Sequence, residues 1–283
     1  MNPVKNRLLL VMLIAFLAVG VGIVSAEKPA FTAGQGPVEE FRLVAGDPVD
    51  AAEFGRSVAM DGNLVAVGAG GADADSVSTA GAVYLFKRQG QGYAPEAKLI
   101  APDATEGAEF GRAVAIQGNT VIVGARFAQV GNLSNAGAVY VFKKHQGSWR
   151  FVDKITSPEP ADEDNFGRAL AVQGNLLVVT ARKENLNAAD VGAAYVFTRR
   201  SGEWTNTAKI TASDPAPGAY FGQSVAVRGG LILVGARNAD PDGAGAAYLF
   251  RGSSGGWEEI AKITPPAGKQ TIISGLRLRW SET

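Results

Sequence analysis

The chain contains no cysteine and only one histidine, His145, among its 283 residues. Without cysteine there is no disulfide framework, no thiol nucleophile, no thiolate zinc or iron-sulfur site and no lipid-anchored cysteine. A single imidazole leaves little material for histidine catalysis or a multi-histidine metal site. An excess of either charge is also missing. The 27 Lys and Arg balance 27 Asp and Glu for a net charge of zero, which removes any global electrostatic case for a nucleic-acid or anionic-membrane partner. Helical periodicity is absent after residue 30. Glycine, by contrast, is abundant: 36 of 283 residues, nearly twice the usual ~7%. Because glycine weakens helices and marks turns, bulges and close backbone approaches, the excess needs an architectural cause. The 46% hydrophobic share is that of a globular chain of one or two domains.

Residues 1–26 place Lys5 and Arg7 before an apolar run from Leu8 to Val24 that ends on Ser25-Ala26. This is the layout of a signal peptide, with Val24-Ser25-Ala26 as the cleavage site. The run also approaches the ~17–25 residues that span a bilayer, so an uncleaved anchor is the other reading. On either reading the rest of the chain is expected outside the cytoplasm, secreted, periplasmic or at the cell surface, and meets a membrane only through this segment. Residues 27–40 are polar with Gly and Pro and read as a linker.

Self-similarity dominates the rest of the chain. Phe-Gly recurs at Phe54-Gly55, Phe110-Gly111, Phe166-Gly167 and Phe221-Gly222, in steps of 56, 56 and 55 residues. Tyr84, Tyr140, Tyr195 and Tyr248 repeat with them inside GAVYLF-type segments. Each unit closes on a lysine, at Lys98, Lys154, Lys209 and Lys262, and in each complete case the next Phe-Gly follows 12 residues later. One unit reads as four short strands, a to d, with tight Gly-containing turns between a and b and between c and d. In strand c, Tyr84 and Phe86 have one parity and Val83 and Leu85 the other, so both faces are apolar and each sheet needs a neighbour on both sides. Four-stranded units of this period, covered on both faces, predict an all-β fold, the blades of a β-propeller.

The segments FGRSVAMDGNLVAVGAG from Phe54, FGRAVAIQGNTVIVGAR from Phe110, FGRALAVQGNLLVVTAR from Phe166 and FGQSVAVRGGLILVGAR from Phe221 resemble the FG-GAP repeats that build the propeller of integrin alpha headpieces and occur in bacterial secreted proteins. The resemblance covers residues 41–265 and implies a non-enzymatic adhesion or binding propeller. Its metal-binding members hold calcium on an extended Asp-rich a-to-b turn. Here those turns are Asp61-Gly62-Asn63, Gln117-Gly118-Asn119, Gln173-Gly174-Asn175 and Arg228-Gly229-Gly230, with at most one carboxylate each. Calcium takes six to eight oxygens, so the family's calcium function is not carried over and no cofactor is expected. Asp240 and Asp242, in Asp240-Pro241-Asp242-Gly243, remain weak metal candidates.

Antiparallel order puts the d-to-a and b-to-c loops on one face of the disc. These loops are longer and more variable than the opposite turns, and this is the face expected to take a protein or glycan ligand. Its d-to-a loops carry Asp47, Asp50 and Glu53; Asp103, Glu106 and Glu109; Glu159, Asp162, Glu163 and Asp164; and Asp214. The b-to-c loops add Asp73, Asp75, Glu184 and Asp190 against Arg126, Arg182, Lys183 and Arg237. Such loops suit a basic partner, or they are solvated loop charge. Arg56, Arg112 and Arg168 follow the repeated Phe-Gly, with Gln223 in the fourth unit. They read either as a guanidinium ring for an anion or, the favoured expectation, as partners of the carboxylates in their own loops. Tyr93, Trp149, Trp204 and Trp257 share one repeat position, which points to packing rather than sugar stacking.

After Lys262 the spacing puts the next Phe at 274, but the chain reads TIISGLRLRWSET there. Back-translated with permitted codons and read two bases later, this stretch yields Phe-Gly-Ser-Ala-Val-Ala-Val. Residues 266–283 are therefore read as a frameshifted relic of a fifth repeat. Phe41-Arg42-Leu43-Val44, 12 residues before Phe54 by its Arg, matches a strand d without its a, b and c. Four complete units against the seven of integrin-type rings make an incomplete ring the expectation. Two other functions stay open: a carboxylate-dependent glycan-active enzyme and a non-functional fragment.

Overall fold

A computed structural model describes residues 41–186, 189–239 and 243–265. The signal segment, the linker, the residue 266–283 tail and the metal candidates Asp240 and Asp242 lie outside the described residues. Four antiparallel sheets contain the repeats. The first comprises β1 (Phe54–Asp61), β2 (Leu64–Ala69), β3 (Ala82–Gln89) and β4 (Gly92–Leu99). The second comprises β5 (Phe110–Gln117), β6 (Thr120–Ala125), β7 (Ala138–His145) and β8 (Ser148–Thr156). The third comprises β9 (Phe166–Gln173), β10 (Leu176–Ala181), β11 (Ala193–Arg200) and β12 (Glu203–Ile210). The fourth comprises β13 (Phe221–Arg228), β14 (Leu231–Ala236), β15 (Ala246–Ser253) and β16 (Gly256–Ile263). Each sheet runs in sequence order. The first strands pack side by side, β1 on β5, β5 on β9 and β9 on β13. They form the inner wall of a propeller-like arc that does not close.

The cores lie between sheets. Leu85 and Val83 of the first sheet meet Tyr140, Phe142 and Phe110 of the second, while Val139 and Val141, of opposite parity on the same β7, meet Leu177, Val179 and Phe166 of the third. The alternation expected for strand c is thus used on both sides. Fully burying one such side chain stabilises the packing by roughly 1.5–3 kcal/mol. Each Phe of the Phe-Gly pair stands edge-on between the Tyr and Phe of its own third strand, as Phe110 does 5.5 Å from Tyr140 and 5.9 Å from Phe142. Tyr93, Trp149, Trp204 and Trp257 pack against these cores, and His145 is exposed at the end of β7.

Two glycine positions are fixed by more than turns. Gly137 has φ +86°, and a Cβ there would lie 2.1 Å from the carbonyl oxygen of Phe166 in the next blade. Gly81 stands in the same relation to Phe110. The close approach accompanies a repeated inter-blade hydrogen bond, with the Phe110 amide donating to the Ala80 carbonyl at 2.8 Å and Phe166 to Ala136 at 2.9 Å. The Gly of Phe-Gly serves differently. Gly111, at φ +92°, sits where the β5 ladder jumps from Phe110 to Ala113. All four first strands carry this bulge, which lifts Gly and the next residue out of the pairing and re-aims that side chain.

One expectation fails. Phe41–Val44 forms no strand; with no third strand beside it among the described residues to offer hydrogen bonds, the segment instead lays Leu43 and Ala45 on the apolar surface of the first sheet.

Candidate functional site

On the tight-turn face, the side chain before the a-to-b turn of each of the first three blades fastens the turn of the next blade. Asp61 accepts from the Gly118 amide at 2.6 Å, Gln117 from Gly174 at 2.6 Å, and Gln173 from Gly229 at 2.8 Å. These turns are thus joined by blade-to-blade hydrogen bonds. Among the described residues, no group of three or more acidic or histidine side chains is placed to hold a metal ion.

On the loop face most of the acidic residues are committed to structure. Every blade builds a clasp from a loop carboxylate, the repeated Tyr of the third strand and the repeated Lys of the fourth. Lys98 donates to Asp47 at 2.6 Å, and the Tyr84 hydroxyl donates to the same carboxylate at 2.7 Å. Lys154 donates to Asp103 at 2.5 Å, and Lys262 and Tyr248 donate to Asp214 at 2.8 and 2.9 Å. In the third blade the b-to-c residue Glu184 replaces the Asp, accepting from Tyr195 at 2.7 Å and Lys209 at 2.6 Å, while Glu159 takes a second Lys209 hydrogen bond at 2.9 Å. Burial alone would raise the pKa of Asp103 and Asp214, yet their lysine and tyrosine partners hold both below the usual carboxylate range. Burial and the adjacent Asp103 both push the Tyr140 hydroxyl up.

Asp162, Glu163 and Asp164 join the second and third blades. Asp162 accepts from the Ser134 amide and Glu163 from the Asn135 side chain, each at 2.7 Å. Asp164, only 2% exposed, accepts from the Ala161 amide at 2.7 Å. Burial pushes its pKa up to about 6; the Ala161 amide pulls against that rise, and the Glu184 and Asp162 charges add to it. Many oxygens of these acidic loops thus accept from backbone amides, lysines and tyrosines of the same chain. Glu106 is exposed and belongs to none of these clusters.

The guanidinium groups are arranged differently. A cavity of about 870 Å³ opens along the inner wall, lined by Arg56, Arg112, Arg126, Arg168, Arg182 and Arg237 with Gln223 and, among the described residues, no carboxylate. The bulge after each Phe supplies Arg56, Arg112, Arg168 and Gln223; the residue just after the second strand supplies Arg126, Arg182 and Arg237, where the first blade has Gly70. At the rim Glu109 takes two hydrogen bonds from Arg126, both at 2.7 Å, and lies 3.5 Å from Arg112. Arg56 lies 3.9 Å from Glu53. The favoured sequence reading, that each bulge arginine pairs with an acid of its own loop, holds at these long distances for Arg56 and Arg112 but fails for Arg168, which has no carboxylate partner among the described residues. The cause is local: three residues before the arginine stand Glu53 and Glu109 in the first two blades but Asn165 in the third, and Tyr220 precedes Gln223.

Those preceding residues have φ values of +54°, +55°, +58° and +52°. Left-handed backbone at non-glycine positions costs of order 1 kcal/mol or more, and such strain is commonest at functional sites. Each carbonyl accepts the amide of the residue three places on, as Glu109 does from Arg112 at 3.0 Å. This turn sets the bulge and so the direction of the arginine. The Nε atoms of Arg112, Arg168 and Arg182 are buried without an acceptor, as is the Gln223 side-chain oxygen without a donor. Burial pushes the pKa of Arg168 downward, and Arg112, Arg182, Arg126 and Arg56 add to the shift. The same causes, with Arg126 and Arg237 as neighbours, lower Arg182, which stacks with Arg237 on the Tyr220 ring at 5.2 and 5.4 Å.

The four sheets therefore define an open arc of propeller blades with a cationic inner cavity. A family model, the FG-GAP repeat, matches residues 37–86, 93–142, 149–197 and 204–250. The chain belongs to the FG-GAP repeat family. The last three matched units each straddle two sheets; residues 93–142, for example, run from β4 into β7. No curated protein matches the sequence. Among solved structures, a protein from Bacteroides uniformis provisionally described as a 6-phosphogluconolactonase is similar at 15% identity and a TM-score of 0.50, covering 74% of this chain. This chain spans 56% of that one, and at such identity the likeness concerns the fold alone.

Proposed function

We propose that the chain is an exported, non-catalytic binding module that takes a protein or glycan ligand at its d-to-a and b-to-c loop face. The carrying observation is the inner cavity, where six arginines converge with no carboxylate among the described lining residues while the loop acids around it are tied into clasps. A carboxylate-dependent hydrolase needs an acid and a base free to move protons, and the clasps leave Asp47, Asp103, Glu184 and Asp214 poorly suited to that work. The family supports the reading, since FG-GAP propellers are typical of extracellular binding proteins.

The test is direct. Fusing residues 1–40 to a reporter that is active only outside the cytoplasm checks export. Screening the purified chain against neutral and acidic glycans and extracellular proteins checks binding, with Arg126→Ala on the loop face compared with Gln117→Ala on the turn face. Selective loss in Arg126→Ala supports the reading; equal loss in both, or no binding to any probe, overturns it.

A further inference from the structure

We propose that the inner cavity is an oxyanion site, and that the ligand of the binding face is a multiply charged anion presenting carboxylate, phosphate or sulfate groups. The inference rests on the binding-module reading and adds the ligand's chemistry to it. Six guanidinium groups line the cavity, two from the second blade, two from the third, and one each from the first and fourth. Among the described residues, Glu109 lies on Arg126 and Arg112, Glu53 lies on Arg56, and the Asp190 charge acts on Arg182, so the acids are fewer than the six guanidinium groups and the cavity keeps a surplus of positive charge.

The unmet groups are specific. The Arg112 side chain is only 8% exposed, and its Nε lies 3.5 Å from Glu109 without a hydrogen bond, while the Nε atoms of Arg168 and Arg182 are buried with no acceptor among the described residues. A buried donor left unmatched is costly, and a buried cation more so. A guanidinium does not escape that cost by losing its proton; an anion supplying acceptors would remove it. Arginine forks match the planar, two-oxygen edge of carboxylates and of phosphate or sulfate groups. Arginines on separate blades favour a ligand with several such groups over a single small ion, and about 870 Å³ falls within the range of sites that hold one. The stacking of Arg182 and Arg237 on Tyr220 orients both guanidinium groups before a ligand arrives, while Arg126, stacked on Phe127 at 4.1 Å, already has its fork on Glu109.

The test uses the full chain with citrate, tripolyphosphate and a sulfated hexasaccharide as anionic probes and a neutral hexasaccharide as the control, followed by calorimetry and thermal melting at 20 and 200 mM salt. The expected result is one site per chain for at least one anionic probe, weakened at least tenfold at the higher salt. Arg112→Gln/Arg168→Gln should lower its affinity at least thirtyfold and leave the melting temperature of the ligand-free chain unchanged or raised. Arg150→Gln, which removes an exposed arginine of β8, should have no effect. If the double variant does not fold, Arg182→Gln replaces it with the same expectation. Equal loss in Arg150→Gln, or absence of saturable binding to every anionic probe, overturns the oxyanion site. Binding of the neutral sugar alone would also overturn it, while leaving the binding-module reading in place; loss of both requires that no probe, neutral or charged, binds. Comparing the three anionic probes separates carboxylate, phosphate and sulfate as the source.

Discussion

At the outer strands Lys98, Lys154, Lys209 and Lys262 each meet a carboxylate within 3 Å, whereas at the inner wall Arg168 and Arg182 meet none among the described residues. One repeat produces both. Its lysine and tyrosine fall where the loop acids can reach them, and its bulge turns an arginine away from those acids into a cavity shared with the other blades. Charge on the outside is thus balanced within each blade, and charge on the inside is pooled. Balanced pairs contribute to folding, whereas pooled like charges oppose it until a counter-charge arrives. Substitutions of opposite design should therefore give effects of opposite sign.

The largest effect is expected at the third-blade clasp. Glu184 is 4% exposed and accepts from both Tyr195 and Lys209. Burial opposes the charge on Lys209, but its bonds to Glu184 and Glu159 raise its pKa well above the usual lysine value. Glu184→Ala strands a buried hydroxyl and half the partners of that ammonium. Urea denaturation should report a loss of about 3 kcal/mol, and a loss below ~1 kcal/mol would show that the clasp is not structural.

Asp164 lies on the same seam with the opposite sign. The unfolded chain ionises it from its ordinary value of 3.8 upward, while the folded chain keeps the proton to about 6. Over that window the folded state binds more protons, so this group's contribution to stability falls as pH rises from about 4 to about 6 and stays low above it. Asp164→Asn keeps an acceptor for the Ala161 amide and removes the titration. It should stabilise the chain by on the order of 2 kcal/mol at pH 7 and change little at pH 3.5. A pH-independent difference between variant and parent would refute the assignment.

Much of this was legible in the sequence, and what was not has a physical cause. Tyr84 and Val83 alternate so plainly that the two-sided burial of the third strand, and with it the propeller, follows from parity. The spacing of Lys98 to Phe110 marked the blade boundary correctly, but it did not show that Lys98 reaches Asp47 across 51 residues, because antiparallel stacking decides which loop lies over which strand end. Arg126, Arg182 and Arg237 stood in the sequence as scattered loop charge. Their repeat position after VGA or VTA was the available signal, and only the bulge at Gly111 and its counterparts explains why a second arginine set joins them. Glycine counts likewise pointed to turns, while the 2.1 Å approach at Gly137 depends on a neighbouring blade that no local pattern encodes.

A smaller effect, of reversed sign, should appear when the third blade is given the fourth blade's residue. Arg168→Gln removes a buried cation that has no acid beside it among the described residues and copies Gln223 at the equivalent bulge. In low salt without added anion it should stabilise the chain by about 1 kcal/mol in urea, and saturating tripolyphosphate should abolish or reverse that advantage. A destabilised variant under anion-free conditions would mean that Arg168 is held by contacts rather than tolerated despite its charge.

The smallest effect belongs to the most open clasp. The carboxylate of Asp47 is 53% exposed and the Lys98 ammonium 28%, so water screens their attraction despite the 2.6 Å separation. An exposed pair of this kind is worth ~0.2–1 kcal/mol, and Lys98→Met, which keeps most of the apolar stem over the Tyr84 ring, should cost no more than that. The loss should shrink as salt rises from 20 to 500 mM. The Glu184→Ala loss should change less over the same range, because the Glu184 carboxylate is only 6% exposed and Tyr195 beside it is buried. If both variants respond to salt alike, exposure does not divide the clasps, and the contrast between outer and inner charge must come from the count of partners alone.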